Sequence, residues 1–282
     1  MITKPLRISW SALRAHEECK EKSYLIREGR RSKVTNIRNF YPGTVVDVIM
    51  REWLDFPPNS IRPPMADFVP AVMAQTQSAE KEKGNVVRFR DAEDRNEITK
   101  FCTTLVNRLQ PILEEHVLPY QHEHGKWFKV PANLTDADGG HREVLLTGEM
   151  DLLVQNNGPV IWDLKGTADD NYWRKVVAQL TFYDLAVWIS TGTKSRHVGL
   201  IQPMCTERIL AFKVTDDARR ELMLRIQRYA LDVWAGERSC TTNKATCHFC
   251  DVRHACTRFA QPQLDSFGDL ADQLRAAAGD PA

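Results

Sequence analysis

Several features that mark other classes of protein are missing from this sequence of 282 residues. No apolar run approaches the roughly 18 residues that a membrane-spanning helix needs, and no charged, apolar and small-residue leader begins the sequence. We therefore expect a cytoplasmic protein without a membrane span or a secretion signal. The formal net charge is only +1, so any surface for nucleic acid must be local. There is no internal repeat, and 43% hydrophobic residues indicate ordinary globular composition.

Charged residues interrupt two strands that should be buried. The residues from 143 to 187 predict a strand, an Asn-Gly turn, a second strand and a helix, and both strands are rich in Val, Ile and Leu. Asp151 lies in the first strand, and Asp163 and Lys165 lie in the second. Burying an ionised side chain costs several kcal/mol unless it is paired or binds a metal. The three charges therefore indicate a functional site, and the alternative is a structural Asp–Lys pair with an incidental second Asp.

The length of the connecting loop decides whether the two carboxylates meet. Side chains alternate along a strand, so Asp163 and Lys165 share one face. A two-residue turn would pair Asp163 with Leu152 and place Asp151 on the opposite face. A three-residue loop over residues 156–158 would instead pair Asp151 directly with Asp163, and loops of this length often end with a glycine in the left-handed region. We predict the odd-length loop.

Two neighbouring carboxylates repel each other unless one holds a proton or a cation lies between them. Mg²⁺ or Mn²⁺ fits this position, because hard cations prefer carboxylate, carbonyl and water oxygens. The carbonyl group of Leu164 is a further candidate ligand. Lys165 would point at the same site, where it could orient a water molecule and stabilise charge on a phosphate group.

These residues resemble the PD-(D/E)XK nuclease superfamily, and in particular its RecB-like branch. The matching motifs are G-E-M-D with Asp151, D-L-K with Asp163 and Lys165, and Q-L-T-F-Y with Gln179 and Tyr183. The resemblance implies an α/β fold like that of restriction endonucleases, with a mixed central sheet flanked by helices, a helical N-terminal part and a C-terminal four-cysteine region. It also implies that the helix face carrying Gln179 and Tyr183 borders the site and contacts DNA.

One position departs from the pattern of the RecB-like branch. In that branch a glycine is followed four residues later by a histidine that binds the metal, whereas here Gly43 is followed by Asp47. A carboxylate oxygen suits Mg²⁺ or Mn²⁺ at least as well as imidazole does. The resemblance therefore makes Asp47 a predicted metal ligand, and the alternative is an ordinary aspartate on a helix surface.

Cysteines give the second strong signal. Four of the seven lie within seventeen positions, and thiolates this close either bind a metal or oxidise. Zinc is one alternative, since His248 and His254 could complete its ligands. Iron–sulfur members of the RecB-like branch, among them AddB-type subunits and CRISPR-associated exonucleases, hold a [4Fe–4S] cluster with one N-terminal cysteine and three after the nuclease core. That resemblance implies a cluster, with Cys240 as a reserve ligand, bound by Cys19, Cys247, Cys250 and Cys256.

The rest of the chain predicts the following organisation. One helix covers residues 8–29 with Cys19 inside it, and two more cover 71–84 and 91–117. A proline-rich loop spans 55–70, and two short strands precede a helix that starts at Asp216. Basic residues between Lys20 and Arg38 are either a solvated face or a patch for phosphates. We expect a single nuclease domain over residues 1–262 and a tail over 263–282.

The sequence therefore predicts a metal-dependent DNA exonuclease that acts on single-stranded DNA or DNA ends. Its setting would be recombination, repair, phage DNA processing or CRISPR adaptation, and helicase or integrase-type proteins are candidate partners. The alternative is a non-catalytic iron–sulfur or zinc module that binds DNA or assembles a complex.

Overall fold

The chain folds into two compact units that each collect distant parts of the sequence. The computed structural model describes residues 4–30, 40–57, 60–241, 247 and 250–256. The first unit comprises Met1–Ile8, Val34–Leu134 and His141–Leu224, and the second comprises Ser9–Lys33, Thr135–Gly140 and Arg225–Ala282. The single domain over 1–262 stays a prediction, and the expected tail over 263–282 lies outside the described residues.

A mixed sheet of six strands organises the first unit. The strands are β1 (Leu6–Ile8), β2 (Gln121–Thr135), β3 (His141–Gln155), β4 (Pro159–Leu164), β5 (His197–Ile201) and β6 (Ile209–Phe212). Their order is β1-β3-β4-β5-β6, and β2 also pairs with β3. The β1–β3 and β4–β5 pairs are parallel, while the β3–β4 and β5–β6 pairs are antiparallel. This mixed sheet with flanking helices confirms the predicted fold class.

Helices cover the sheet and form the second unit. They are α1 (Trp10–Glu18), α2 (Lys20–Arg27), α3 (Tyr41–Leu54), α4 (Val69–Glu82), α5 (Ala92–His116), α6 (Trp173–Thr191) and α7 (Asp216–Trp234). Short 3₁₀ turns occur at Met65–Phe68 and Arg253–Ala255. No helix in the described part of the chain combines the length and the apolar character needed to cross a membrane.

The sheet presents different side chains to the helices on its two faces. Leu152 of β3 and Trp162 of β4 belong to the main apolar core together with Ile49 of α3 and Leu109 of α5. Side chains alternate along a strand, so Asp163 must point away from that core. It does so toward α6, whose Gln179 amide approaches the Asp163 carboxylate. The candidate site thus lies on the α6 side of the sheet.

The β3–β4 hairpin has the predicted odd-length loop. Gln155 pairs with Pro159 and Leu152 pairs with Trp162, so the connecting loop contains three residues, Asn156–Gly158. Within it Asn157 adopts φ +51° and Gly158 adopts φ +122°, a conformation that favours glycine at the second position. The next position along the ladder places Asp151 opposite Asp163, which is what their proposed common role requires.

The predicted single helix over residues 8–29 is wrong. The chain forms two helices, because Cys19 takes an extended conformation with φ −170° and ψ 117° between α1 and α2. Ser9 caps α1 by accepting a hydrogen bond from the Ala12 N–H, as the sequence predicted. Cys19 itself caps α2, since its sulfur accepts from the Lys22 N–H at 3.4 Å. No glycine or proline at position 19 announced this break.

Most of the remaining predicted elements are confirmed with small shifts. The helices predicted over 71–84 and 91–117 are α4 and α5, which begin and end within two residues of those limits. The proline-rich stretch 55–70 is not loop throughout, since it contains the 3₁₀ turn and the start of α4. Pro70 is compatible with this start because proline is tolerated in the first turn of a helix.

Candidate active site

Two aspartates from adjacent strands form the centre of the site. Asp163 is buried, with 2% of its surface exposed, and Asp151 is half-buried. Asp151 Oδ2 accepts a hydrogen bond from the backbone N–H of Leu164 at 2.8 Å, which fixes this carboxylate against β4. Burial, followed by the nearby Asp163 carboxylate, raises the pKa of Asp151 to about 7. Burial also raises the pKa of Asp163, although Lys165 opposes this shift.

Lys165 supplies a cation beside the two carboxylates. Its Nζ lies 2.7 Å from Asp163 Oδ2, and its backbone N–H donates to the Ile201 carbonyl at 3.0 Å, which anchors it to β5. Burial alone would lower the pKa of Lys165, but Asp163 and Asp151 raise it above its ordinary value. The ammonium group is therefore held in its charged form close to the site.

Gln179 and Tyr183 of α6 border the same carboxylates. The Gln179 amide donates to the Tyr183 hydroxyl at 2.7 Å and lies 3.5 Å from Asp163 Oδ1. Phe128 packs edge-on against Tyr183 with ring centroids 5.9 Å apart. A side chain at Gly148 would collide with Phe128 and crowd Tyr183, so the tight glycine contact helps to hold the tyrosine ring. The structure thus brings together the five predicted catalytic residues.

Asp47 of α3 forms an ion pair with Arg51. Its Oδ2 lies 2.8 Å from Arg51 Nη2, and the same nitrogen donates to Glu149 Oε1 of β3 at 2.7 Å. Burial raises the pKa of Asp47, and Arg51 opposes that shift. Among the residues that the structure describes, no three His, Cys, Asp or Glu side chains converge closely enough to hold a metal. The role of Asp47 as a ligand stays a prediction.

Arg51, Glu149 and Gly125 are site residues that the sequence reasoning missed. Gly125 of β2 has φ +55°, and a Cβ atom there would collide with the Arg51 guanidinium. Because glycine has no side chain, β2 can pass close to that guanidinium. The only signals in the sequence were the four-residue spacing of Asp47 and Arg51 and the glutamate in G-E-M-D. Neither reveals that α3, β2 and β3 converge at one arginine.

Aromatic and basic side chains gather at the start of α6. Trp173 stacks on Phe212 with centroids 5.5 Å apart and planes inclined by 27°. Arg174 Cζ lies 5.4 Å from the Trp173 ring, and Lys175 Nζ lies 5.2 Å from the Tyr172 ring. Tyr172 is close enough to Lys165 to contribute to the raised pKa of its ammonium group. We call residues 172–175 the α6 entry turn.

The predicted basic patch between Lys20 and Arg38 is only partly described. Lys20 Nζ forms an ion pair with Asp232 at 2.9 Å, and Lys22 Nζ forms one with Glu18 at 2.8 Å. Residues 31–39 lie outside the described part of the chain. Two of the lysines are thus engaged within the second unit, and the role of the patch in binding phosphates stays a prediction.

Four cysteines lie in one region of the second unit. The Cys19 sulfur accepts hydrogen bonds from the Lys22 and Thr241 N–H groups, each at 3.4 Å. The sulfurs of Cys240 and Cys256 are 3.9 Å apart, and Cys250 packs against the same small apolar core. Cys247 is described and is a free thiol, whereas His248 lies outside the described residues. Cys240, the predicted reserve ligand, is therefore in contact with Cys256, one of the four predicted ligands.

A family comparison agrees with this geometry. The model of the PD-(D/E)XK nuclease superfamily matches residues 7–257, which include the whole site and the cysteine region. The chain therefore belongs to the PD-(D/E)XK nuclease superfamily, and the nuclease class predicted from the sequence is confirmed. Enzymes of this superfamily generally use divalent metal ions.

Two solved structures match this chain over most of its length and of their own. A candidate exonuclease from Eubacterium rectale has a TM-score of 0.49 and 16% identity, and the match covers 86% of this chain and 88% of that one. The protein SSO0001 has a TM-score of 0.34 and 15% identity, and the match covers 76% and 95% of the two chains. No match was found among curated proteins.

Proposed function

We propose that this nuclease is a metal-dependent DNA exonuclease of the RecB-like branch, acting on single-stranded DNA or on DNA ends. The observation that carries the proposal is the meeting of Asp151 and Asp163 across β3 and β4 beside the Lys165 ammonium group. The adjacent Gln179–Tyr183 pair supports the branch assignment. We propose its setting as recombination, repair, phage DNA processing or CRISPR adaptation, with helicase or integrase-type proteins as partners.

The donor atoms of the site fit a hard divalent cation. Asp151 and Asp163 present neighbouring carboxylates, and burial raises the pKa of both, with the charge of Asp163 adding to the shift at Asp151. We propose that Mg²⁺ or Mn²⁺ is held by these two residues and the Leu164 carbonyl, with Asp47 contributing Oδ1, the oxygen outside its ion pair with Arg51. When bound, such an ion activates water and stabilises charge on a phosphate group.

The side chains of the chain itself position the reacting groups. The Lys165 ammonium group can donate to a phosphate oxygen or hold the attacking water, and Asp163 keeps it in place. Gln179 holds the Tyr183 hydroxyl and faces Asp163, so this pair can orient the strand beside the carboxylates. Because Lys165 stays protonated, its role is to stabilise charge rather than to remove a proton.

The α6 entry turn supplies a surface suited to a nucleic-acid strand. Bases stack on aromatic rings, and exposed cations track phosphates. Arg174 and Lys175 are exposed next to the rings of Trp173 and Tyr172. We propose that a single strand runs from this turn to Lys165, with the basic stretch between Lys20 and Arg38 contributing further phosphate contacts.

We also propose a [4Fe–4S] cluster bound by Cys19, Cys247, Cys250 and Cys256, with Cys240 as the reserve ligand. Support comes from two backbone N–H groups directed at the Cys19 sulfur and from the proximity of Cys240, Cys250 and Cys256. Hydrogen bonds to sulfur are typical of such clusters. A brown protein with equal amounts of iron and sulfide would agree, whereas a colourless protein loaded with zinc would contradict the proposal.

The assignment is tested by changing Asp163 to Asn or Ala and assaying oligonucleotides labelled at the 5′ or 3′ end with Mn²⁺. We expect cleavage to fall by about a thousandfold or more, since the metal loses a carboxylate and Lys165 loses its partner. Asp217→Asn, at an exposed aspartate of α7, is the matched control and should cleave normally. Undiminished cleavage by the Asp163 variants would reject the assignment.

A non-catalytic DNA-binding module is the second candidate. The ion pair between Asp47 and Arg51 favours it, because the residue in the position of the family histidine is already engaged. Its signature would be unchanged DNA binding by the wild-type protein without any cleavage in Mg²⁺ or Mn²⁺. Cleavage that is lost in Asp163→Asn excludes it.

A further inference from the structure

Charges beyond the proposed ligands surround the site. The site and its surroundings contain four carboxylates and two cationic side chains. The carboxylates are those of Asp47, Glu149, Asp151 and Asp163, and the cations are Arg51 and Lys165. With every group ionised, the formal charge of this set is two negative units, which a single divalent cation neutralises. Each cation serves two carboxylates, since Arg51 binds Asp47 and Glu149 while Lys165 lies beside Asp163 and Asp151.

Arg51 forms ion pairs with two carboxylates, and the backbone of β2 lies close beside it. One nitrogen, Nη2, serves both Asp47 Oδ2 at 2.8 Å and Glu149 Oε1 at 2.7 Å. Gly125 of β2 lies directly against the guanidinium, where any larger residue would collide with it. Two-thirds of the Arg51 side chain is buried. The guanidinium therefore stands where a cation bridging Asp47 and Glu149 would otherwise stand.

We propose that Arg51 limits this site to one divalent ion by neutralising Asp47 and Glu149 from within the chain. The inference rests on the proposed metal site at Asp151 and Asp163 and assigns a charge-setting role to a residue outside it. Arg51 is in this sense a positioning residue, because it fixes Asp47 and removes the need for a second cation. A purely structural bridge between α3 and β3 would have no effect on metal stoichiometry.

Removing the guanidinium should create a second cation site. Arg51→Gln leaves Asp47 and Glu149 as two neighbouring carboxylates without a positive partner, the same arrangement that makes Asp151 and Asp163 suitable for a hard cation. The formal charge of the set becomes three negative units. Arg51→Gln combined with Glu149→Gln returns it to two, so the double variant should again hold one ion. Arg51→Lys keeps the charge and should also hold one.

The test counts Mn²⁺ bound to the full-length protein without any assay of cleavage. Free Mn²⁺ is measured by its paramagnetic resonance signal during titration, and binding by the Asp163→Asn variant gives the background from other sites. We expect one equivalent for the wild type and for the double variant. Arg51→Gln should bind a second equivalent, because Asp47 and Glu149 then lack their positive partner. Glu149→Gln should bind the first about tenfold more weakly.

The outcomes separate failure of this inference from failure of the proposed function. A single equivalent in Arg51→Gln, at any affinity, or unchanged affinity in Glu149→Gln, overturns the role of Arg51 and leaves the proposed nuclease site intact. Absence of any site-specific Mn²⁺ in the wild type overturns both. Circular dichroism checks that each variant is folded, and Glu149→Gln, which retains Arg51, decides the question if Arg51→Gln does not fold.

Discussion

At the scale of single residues, the ionised carboxyl group of Asp151 lowers the stability of the metal-free folded protein. Its pKa is raised from 3.8 to about 7 in the folded chain, so the folded state binds a proton more readily than the unfolded state. The sign follows from linkage: the metal-free protein loses stability as the pH rises from about 4 to about 7. A bound divalent cation would remove this cost by favouring the ionised form.

We therefore predict that Asp151→Asn stabilises the metal-free protein at pH 8. The thermal midpoint in EDTA should rise by about 3 °C or more, and the gain should be smaller at pH 5, where Asp151 is already protonated. Adding Mn²⁺ at pH 8 should stabilise the wild type and leave the variant unchanged. A lower midpoint for Asp151→Asn at pH 8 in EDTA would contradict the raised pKa.

The same scale shows which site residues the sequence could reveal. Asp151, Asp163 and Lys165 could be found because charge inside an apolar strand is locally visible. Arg51 and Gly125 could not, since their importance arises only where α3 and β2 meet. An arginine on an amphipathic helix and a glycine near a turn are ordinary residues until their neighbours are known.

At the scale of elements, the hairpin was the most predictable part of the molecule. Strand alternation and the position of Gly158 favoured the three-residue loop, because a two-residue turn would place Asp151 and Asp163 on opposite faces of the sheet. The break between α1 and α2 was not predictable in this way. Cys19 carries no local helix-breaking signal, and its sulfur contacts Thr241, which is more than two hundred positions away in the sequence.

The α6 entry turn allows a prediction about DNA binding. Arg174→Ala should weaken binding of single-stranded DNA and reduce the salt dependence of the affinity by about one phosphate contact. Trp173→Ala should weaken binding by about 1–3 kcal/mol, the usual value for one stacked base. Arg220→Ala, at another exposed arginine of the same unit, is the matched control. Equal losses in Arg174→Ala and Arg220→Ala would rule out a specific strand path.

At the scale of the whole molecule, the second unit combines three segments that are far apart in the sequence. Its parts are Ser9–Lys33, Thr135–Gly140 and Arg225–Ala282. The resemblance to the iron–sulfur members of the RecB-like branch implied that Cys19 lies near Cys247, Cys250 and Cys256, and the structure brings Cys19 close to Thr241. The division into two units was not predicted, because apolar periodicity describes each element without saying which elements pack together.

This arrangement predicts separate consequences for the two proposed cofactors, the divalent ion and the cluster. Cys256→Ser should lose iron and visible colour and unfold at lower temperature, since a cluster joining distant residues stabilises the fold on binding. It should retain Mn²⁺ binding, because that site lies in the first unit. Cys205→Ser, at a buried cysteine of the first unit, is the control and should keep its iron. Full iron content in Cys256→Ser would refute this ligand assignment.

The most direct measurement is the anomalous diffraction of crystals soaked in Mn²⁺. The account predicts a manganese peak between Asp151 and Asp163, about 2.1 Å from one oxygen of each carboxylate, with the Lys165 ammonium group facing the same site. A map without a peak between these carboxylates, together with Lys165 pointing into bulk solvent, would contradict it.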